Sequence, residues 1–332
     1  MLDTYWVWLT GELAMAGSSL LDMQKRVSWL YLVSALMVAC GLFTWRYGRN
    51  GLRRLGPLLS PRIWLHPSSR TDFGLWLINR LVLALVIPKA LTHMAWVSWL
   101  YFFWQSIGLG DLALGWPTPV VIGLFSLSYF LLDDFSRFFT HWLLHKVPTL
   151  WLFHQVHHSA TVLTPFTVFR THPVEGGIFF LRSLGTQSVV VSLFVVLFPN
   201  QVSLWQIFGV LGTTFIFNLL GANLRHSQVV LSFGAVVERW FISPAQHQIH
   251  HSKARIHYDR NFGVTLAIWD RLFGSWVPGD DDQALQYGTG QIIDQKSVWG
   301  QWWYPIETLL KRARRSILSH LPPRKPKNAP RI

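Results

Sequence analysis

The chain has 332 residues, 51% of them hydrophobic and only 14% charged, with 19 Trp, 23 Phe and a formal net charge of +13. Such a balance excludes an ordinary soluble domain. The cations flank apolar runs and crowd residues 311–331, which points to a membrane surface and not to nucleic acid.

Residues 1–26 carry Asp3, Glu12 and Asp22 and do not fit a secretory signal peptide. Residues 27–45 form the first long uncharged run, which contains the single cysteine, Cys40, so no intramolecular disulfide is available. Five arginines (Arg46, Arg49, Arg53, Arg54 and Arg62) follow this run, against Lys25 and Arg26 before it. By the positive-inside rule, residues 46–72 are expected in the cytoplasm. Residues 73–107 exceed one straight span and are broken at Pro88-Lys89. Either the first half lies in the interface while 90–107 crosses, or the two halves form a hairpin.

A single crossing there puts residues 108–119 outside, and 120–139 then returns to the cytoplasm. His141 and His145 emerge on a continuation of that helix, which Pro148 stops. Residues 183–198 and 204–222 are two more apolar segments joined by a turn at 199–203. Runs of about 18–20 residues match a bilayer core of roughly 30 Å. The expected fold class is therefore all-α: a polytopic bundle of about four to five transmembrane spans with a cytosolic helical cap. A hairpin at Pro88 would instead place the histidine-rich face outside. Residues 292–332 begin with Trp302-Trp303-Tyr304 and an amphipathic basic stretch at 306–321, which reads as an interfacial helix. The Pro/Lys/Arg-rich end reads as disordered, and Asp280-Asp281-Asp282 as a solvated loop. The domain division expected is 1–125 (membrane region), 126–276 (catalytic domain) and 277–332 (basic interfacial tail).

Chemistry is concentrated in the histidines. His154-Gln155-Val156-His157-His158-Ser159 returns as His247-Gln248-Ile249-His250-His251-Ser252, and His141-x-x-x-His145 precedes the first copy. Spacings of three and four residues put imidazoles on one helix face. Eight such rings can surround more than one metal ion, and imidazole alone does not select iron, zinc, copper or nickel. A mononuclear zinc hydrolase needs fewer ligands, and H-E-x-x-H is absent. The Glu-x-x-His pairs of soluble four-helix di-iron proteins are absent too. A metal transporter would place ionisable ligands near the bilayer midplane, whereas these clusters flank the spans. Asp134, two helical turns before His141, is a candidate partner for a ligand ring; the other reading is a capping or interfacial carboxylate.

The ordered set His141-x-x-x-His145, His154-x-x-His157-His158 and His247-x-x-His250-His251 resembles the fatty acid hydroxylase/sterol desaturase superfamily of integral membrane oxygenases. Asp133-Asp134, the stretch from Arg170-Thr171-His172 to Glu175, Asn223-Leu224-Arg225-His226, and Asp259-Arg260-Asn261-Phe262-Gly263 leading to Trp269-Asp270 agree with it. The resemblance spans roughly residues 126–276. It implies that the eight box histidines bind two iron ions, with His172 and His226 as candidates for extra ligands and Asn223, His257 and Asp259 as outer-shell candidates. Some relatives carry a histidine nearer Gly221, which is absent here. The implied activity is O2-dependent hydroxylation of a membrane lipid, with desaturation by the same centre as the alternative. No haem-attachment motif, dinucleotide fingerprint or cysteine cluster is present. A separate electron donor of cytochrome b5, ferredoxin or reductase type is therefore expected, docking on a basic cytoplasmic face.

Overall fold

A computed structural model describes residues 10–11, 18, 20–86, 92–112, 114–207, 210–280 and 284–319. The break at Pro88, most of the Asp280–282 run and the Pro/Lys/Arg-rich end lie outside the described residues. The structure is dominated by helices: α1 (Trp29–Tyr47), α2 (Pro67–Val86), α3 (His93–Ser106), α4 (Thr118–Lys146), α5 (Pro148–His158), α6 (Pro173–Leu197), α7 (Gly212–Leu219), α8 (Pro244–His250) and α9 (Val298–Ser319). The described residues contain one small sheet, the antiparallel pair β1 (Gln206–Ile207) and β2 (Val210–Leu211).

Three helices, α1, α4 and α6, are long and apolar enough to cross a membrane. The chain is an integral membrane protein. At 1.5 Å per residue, the 29 residues of α4 rise roughly 44 Å, more than a bilayer core, and His141 and His145 lie on its last turns. Pro148 cannot continue α4 and instead occupies the first turn of α5, as the sequence predicts. Of the predicted runs, 183–198 extends back to Pro173, giving 25 residues in α6.

The other two runs depart from expectation. Residues 90–107 yield α3, only 14 residues or roughly 21 Å long. It packs along α6, where Trp104 Nε1 donates to Ser192 Oγ at 3.0 Å. Residues 204–222 do not form a spanning helix. The Trp205 N–H donates to Ser126 Oγ on α4, and the Gly212 N–H closes back onto the Trp205 carbonyl. A side chain at Gly212 would meet the Trp205 ring within 2.4 Å, so glycine permits this tight reversal. Only the eight residues of α7 remain helical.

The return leg nevertheless brings the chain back. Leu219 accepts from Ser34 Oγ on α1, and Ala35 and Ala39 of α1 pack with Leu55, Leu224 and Val229. Both the segment after α1 and the His226 region therefore lie on one side of the bundle. The tail is also more integrated than expected. Val298 and Trp302 at the start of α9 pack against the Leu75–Val156–Ile293 core, while its far end stays exposed.

Candidate metal centre

Nine buried or nearly buried imidazoles converge as two groups. His141, His145, His154, His158 and His250 form the first; His157, His226, His247 and His251 form the second. Within each group one nitrogen per ring lies within 4.8 Å of all the others. Helical spacing explains the division. His154 and His158 are four apart on α5 and face the first group, while His157 between them faces the second. The repeat on α8 does the same with inverted weight, sending His250 to the first group and His247 and His251 to the second.

Four of the nine rings are held from behind by a hydrogen-bond acceptor. Nδ1 of His141 is 2.8 Å from the Phe262 carbonyl, that of His250 is 2.7 Å from the Arg260 carbonyl, and that of His157 is 3.2 Å from the Arg170 carbonyl. Nδ1 of His154 lies 2.9 Å from Glu175 Oε1. These acceptors fix the Nδ1–H tautomer and turn Nε2 inward. Inward-facing Nε2 of His141, His145, His154, His158 and His250 are buried without a hydrogen-bond partner. In the second group, Nε2 of His226 lies 3.0 Å from that of His247 and 3.1 Å from that of His251. Buried acceptors aimed at one point without a donor are costly unless a cation takes their lone pairs. The donor set thus fits two metal ions.

The protonation state suits ligation. Burial, joined by the fields of neighbouring rings, pulls His158, His226, His247 and His251 well below the ordinary histidine value, and His157 down to about 3. These rings are neutral at pH 7, as metal binding requires.

Two structural motifs support the carbonyl acceptors. Asp270 accepts from the Phe262 and Gly263 N–H groups, both at 2.7 Å, while Asp134 accepts from Thr265, Leu266 and the Trp269 indole. Together they clamp the 260–266 loop that holds His141 and His250. A Cβ on Gly263 would collide with Asp270 at 2.7 Å. On the other side, the Arg170 guanidinium is fully buried, paired with Asp72 at 2.9 Å and Gln301 of α9 at 2.9 Å. It anchors the carbonyl behind His157.

The structure brings the eight box histidines and His226 together, but not His172. Nδ1 of His172 accepts from the Val174 N–H as the cap of α6, and Nε2 meets the Trp302 carbonyl at 3.0 Å. Both ring nitrogens are engaged, so its place is structural. Among the outer-shell candidates, Asp259 reaches His145 Nδ1 at 3.7 Å and Lys146 at 2.6 Å. Asp134 acts through the loop and not on a ring. Asn223 donates to the Arg26 carbonyl, and His257 belongs to neither group. Sequence reasoning missed Glu175 as a histidine partner, although an acid in the first turn of an apolar helix is a visible signal. A cavity of about 220 Å³ opens beside the first group, lined by His145, His158, His250, Trp151, Tyr258 and Asp259.

The fatty acid hydroxylase family matches residues 126–275, the segment that carries all nine rings. The chain is 27% identical to human alkylglycerol monooxygenase over 71% of its own length and 50% of that protein's. It is 26% identical to a Delta(7)-sterol 5(6)-desaturase of Eremothecium gossypii, covering 67% and 57% of the two chains. An ornithine lipid hydroxylase of Rhizobium tropici is 31% identical over 62% and 56%. The chain thus spans about half the length of the curated relatives it matches. No solved structure matches it. With both the boxes and their three-dimensional convergence in place, residues 126–275 form a region that matches the fatty acid hydroxylase family.

Proposed function

We propose that this protein is a membrane-bound di-iron oxygenase that hydroxylates a lipid using O2 and electrons from a separate donor. The observation that carries the reading is the pair of buried imidazole groups, the first with five unpartnered Nε2 atoms and the second with Nε2 atoms crowded on one another, in a chain with three long apolar helices. Eight box histidines and His226 would hold two irons, which supply, when bound, the O2 reduction and C–H oxidation that no side chain can perform. The chain contributes the rest. Phe262, Arg260 and Arg170 carbonyls and Glu175 orient the rings, and burial keeps bulk water from the centre. Carbonyl-held rings cannot swing away, so the metal geometry is set before substrate arrives.

The finer topology belongs to the same proposal. The centre faces the cytoplasm, with residues 126–276 as the catalytic domain between the membrane region and the basic tail. Exposed Lys146, Lys253, Arg255 and Arg271 ring the cap and suit an acidic donor such as a cytochrome b5, ferredoxin or reductase. Desaturation is the second reading, favoured by the relatives named sterol desaturases.

Expression in a host lacking the activity, followed by lipid mass spectrometry, tests the reaction. A product heavier by one oxygen, dependent on O2 and lost in His157→Ala, is the expected result. A product lighter by two hydrogens selects desaturation, and no O2-dependent product contradicts both.

A further inference from the structure

Between α1, α4, α7 and the cap lies a cavity of about 910 Å³, walled by groups such as Leu127, Phe130, Phe217, Phe241 and Leu266. Among the described residues lining it, one side chain is charged: Arg225, 2% exposed and next in sequence to His226. Its guanidinium lies over the Phe217 ring at 4.5 Å and donates to the Ile242 and Val264 carbonyls, and its Nε is buried with no partner.

The contrast with Arg170 is informative. Both arginines are buried in the cap, yet Arg170 has Asp72 at 2.9 Å, and no carboxylate reaches Arg225 within salt-bridge distance among the described residues. Asp134, whose field reaches Arg225, spends its oxygens on Thr265, Leu266 and Trp269. Burying a cation without a counter-charge is unfavourable, and such a group facing a lipid-sized apolar space is matched by an anion arriving with an aliphatic chain.

We propose that the cavity takes the hydrocarbon part of one amphipathic lipid whose oxyanion, carboxylate or phosphate, pairs with Arg225. The inference rests on the lipid-oxygenase reading and names its substrate class as anionic. Arg225 is then a specificity-determining residue beside the metal centre.

Iron-loaded protein in neutral detergent, kept free of O2, tests this by displacement of radiolabelled oleate. Unlabelled oleate is expected to compete at about tenfold lower concentration than oleyl alcohol, as a charge-assisted pair predicts. In Arg225→Gln that ratio falls to near one, while Arg225→Lys retains most of it. Equal competition by acid and alcohol in the unaltered protein, or an unchanged ratio in Arg225→Gln, overturns the proposal. Leu127→Trp together with Leu266→Trp, which narrow the cavity and leave the charge, should weaken oleate and oleyl alcohol alike; unchanged affinity in this double variant also overturns the proposal. A larger ratio for dioleoyl phosphatidate over dioleoylglycerol than for oleate over its alcohol identifies phosphate as the preferred source. Binding is read without turnover, and iron content of the same samples reports the centre separately. Loss of iron with retained selectivity defeats the oxygenase reading, and the reverse defeats only this one.

Discussion

The histidine spacing alone shows which rings share a helix face, but not what stands behind them. Three of the four acceptors described behind the ligand rings are backbone carbonyls, which any residue type supplies, so no sequence pattern marks them. Glu175 is the exception, and its replacement is informative. Glu175→Gln keeps the shape and removes the charge from the His154 Nδ1 contact at 2.9 Å. Iron affinity is expected to fall about 10- to 100-fold, measured by chelator competition; unchanged affinity would contradict the role. His172 shows the opposite case. The family resemblance makes it a candidate ligand, yet a residue preceding a helical proline is already placed to cap, and that is where the ring goes. Arg170 makes a sharper prediction for stability. Arg170→Gln leaves Asp72 buried without its cation and is expected to cost about 3–5 kcal/mol, read as a lower Tm, with much of the loss recovered by adding Asp72→Asn.

Elements explain why the rings converge at all. Helix α4 carries His141 and His145 on its last turns, and the Asp134 and Asp270 clamps fold the 260–266 loop against them. Asp270→Ala should therefore release the carbonyls behind His141 and His250 while sparing the second group. Roughly half the iron is expected to be lost, measured per chain by metal analysis; equal loss from both groups would contradict the division. Long, evenly apolar helices such as α6 were legible in the sequence. The return leg at 204–222 was not, because a uniformly apolar run reads alike as span or as reversal, and the decision lies in the Trp205–Ser126 hydrogen bond between distant segments. The cap also carries a pH signature. Seven of its rings outside α4 have folded-state proton affinities below the ordinary histidine value of 6.5. The unfolded chain then binds more protons, so stability of metal-free protein falls as pH drops below about 6.5. Asp270, raised to about 6, opposes this with a single proton. Metal-free protein should melt lower at pH 5.5 than at pH 7.5, and an equal Tm would contradict neutral burial of the rings.

Across the whole molecule, the apolar runs and arginine asymmetry predict a cytoplasmic centre, and the structure places the segment after α1 beside the His226 region. In a background with Cys40→Ser, Ser60→Cys should react with an impermeant maleimide only after lysis, whereas Asn200→Cys, in the turn after α6, reacts in intact cells. The reverse pattern would put the centre outside.

Iron per chain in the purified, intact protein is the decisive quantity, combined with Mössbauer spectroscopy to ask whether the ions interact. Two irons in one magnetically coupled pair are expected from two adjoining imidazole groups. A single ion, or two uncoupled ones, would contradict the account.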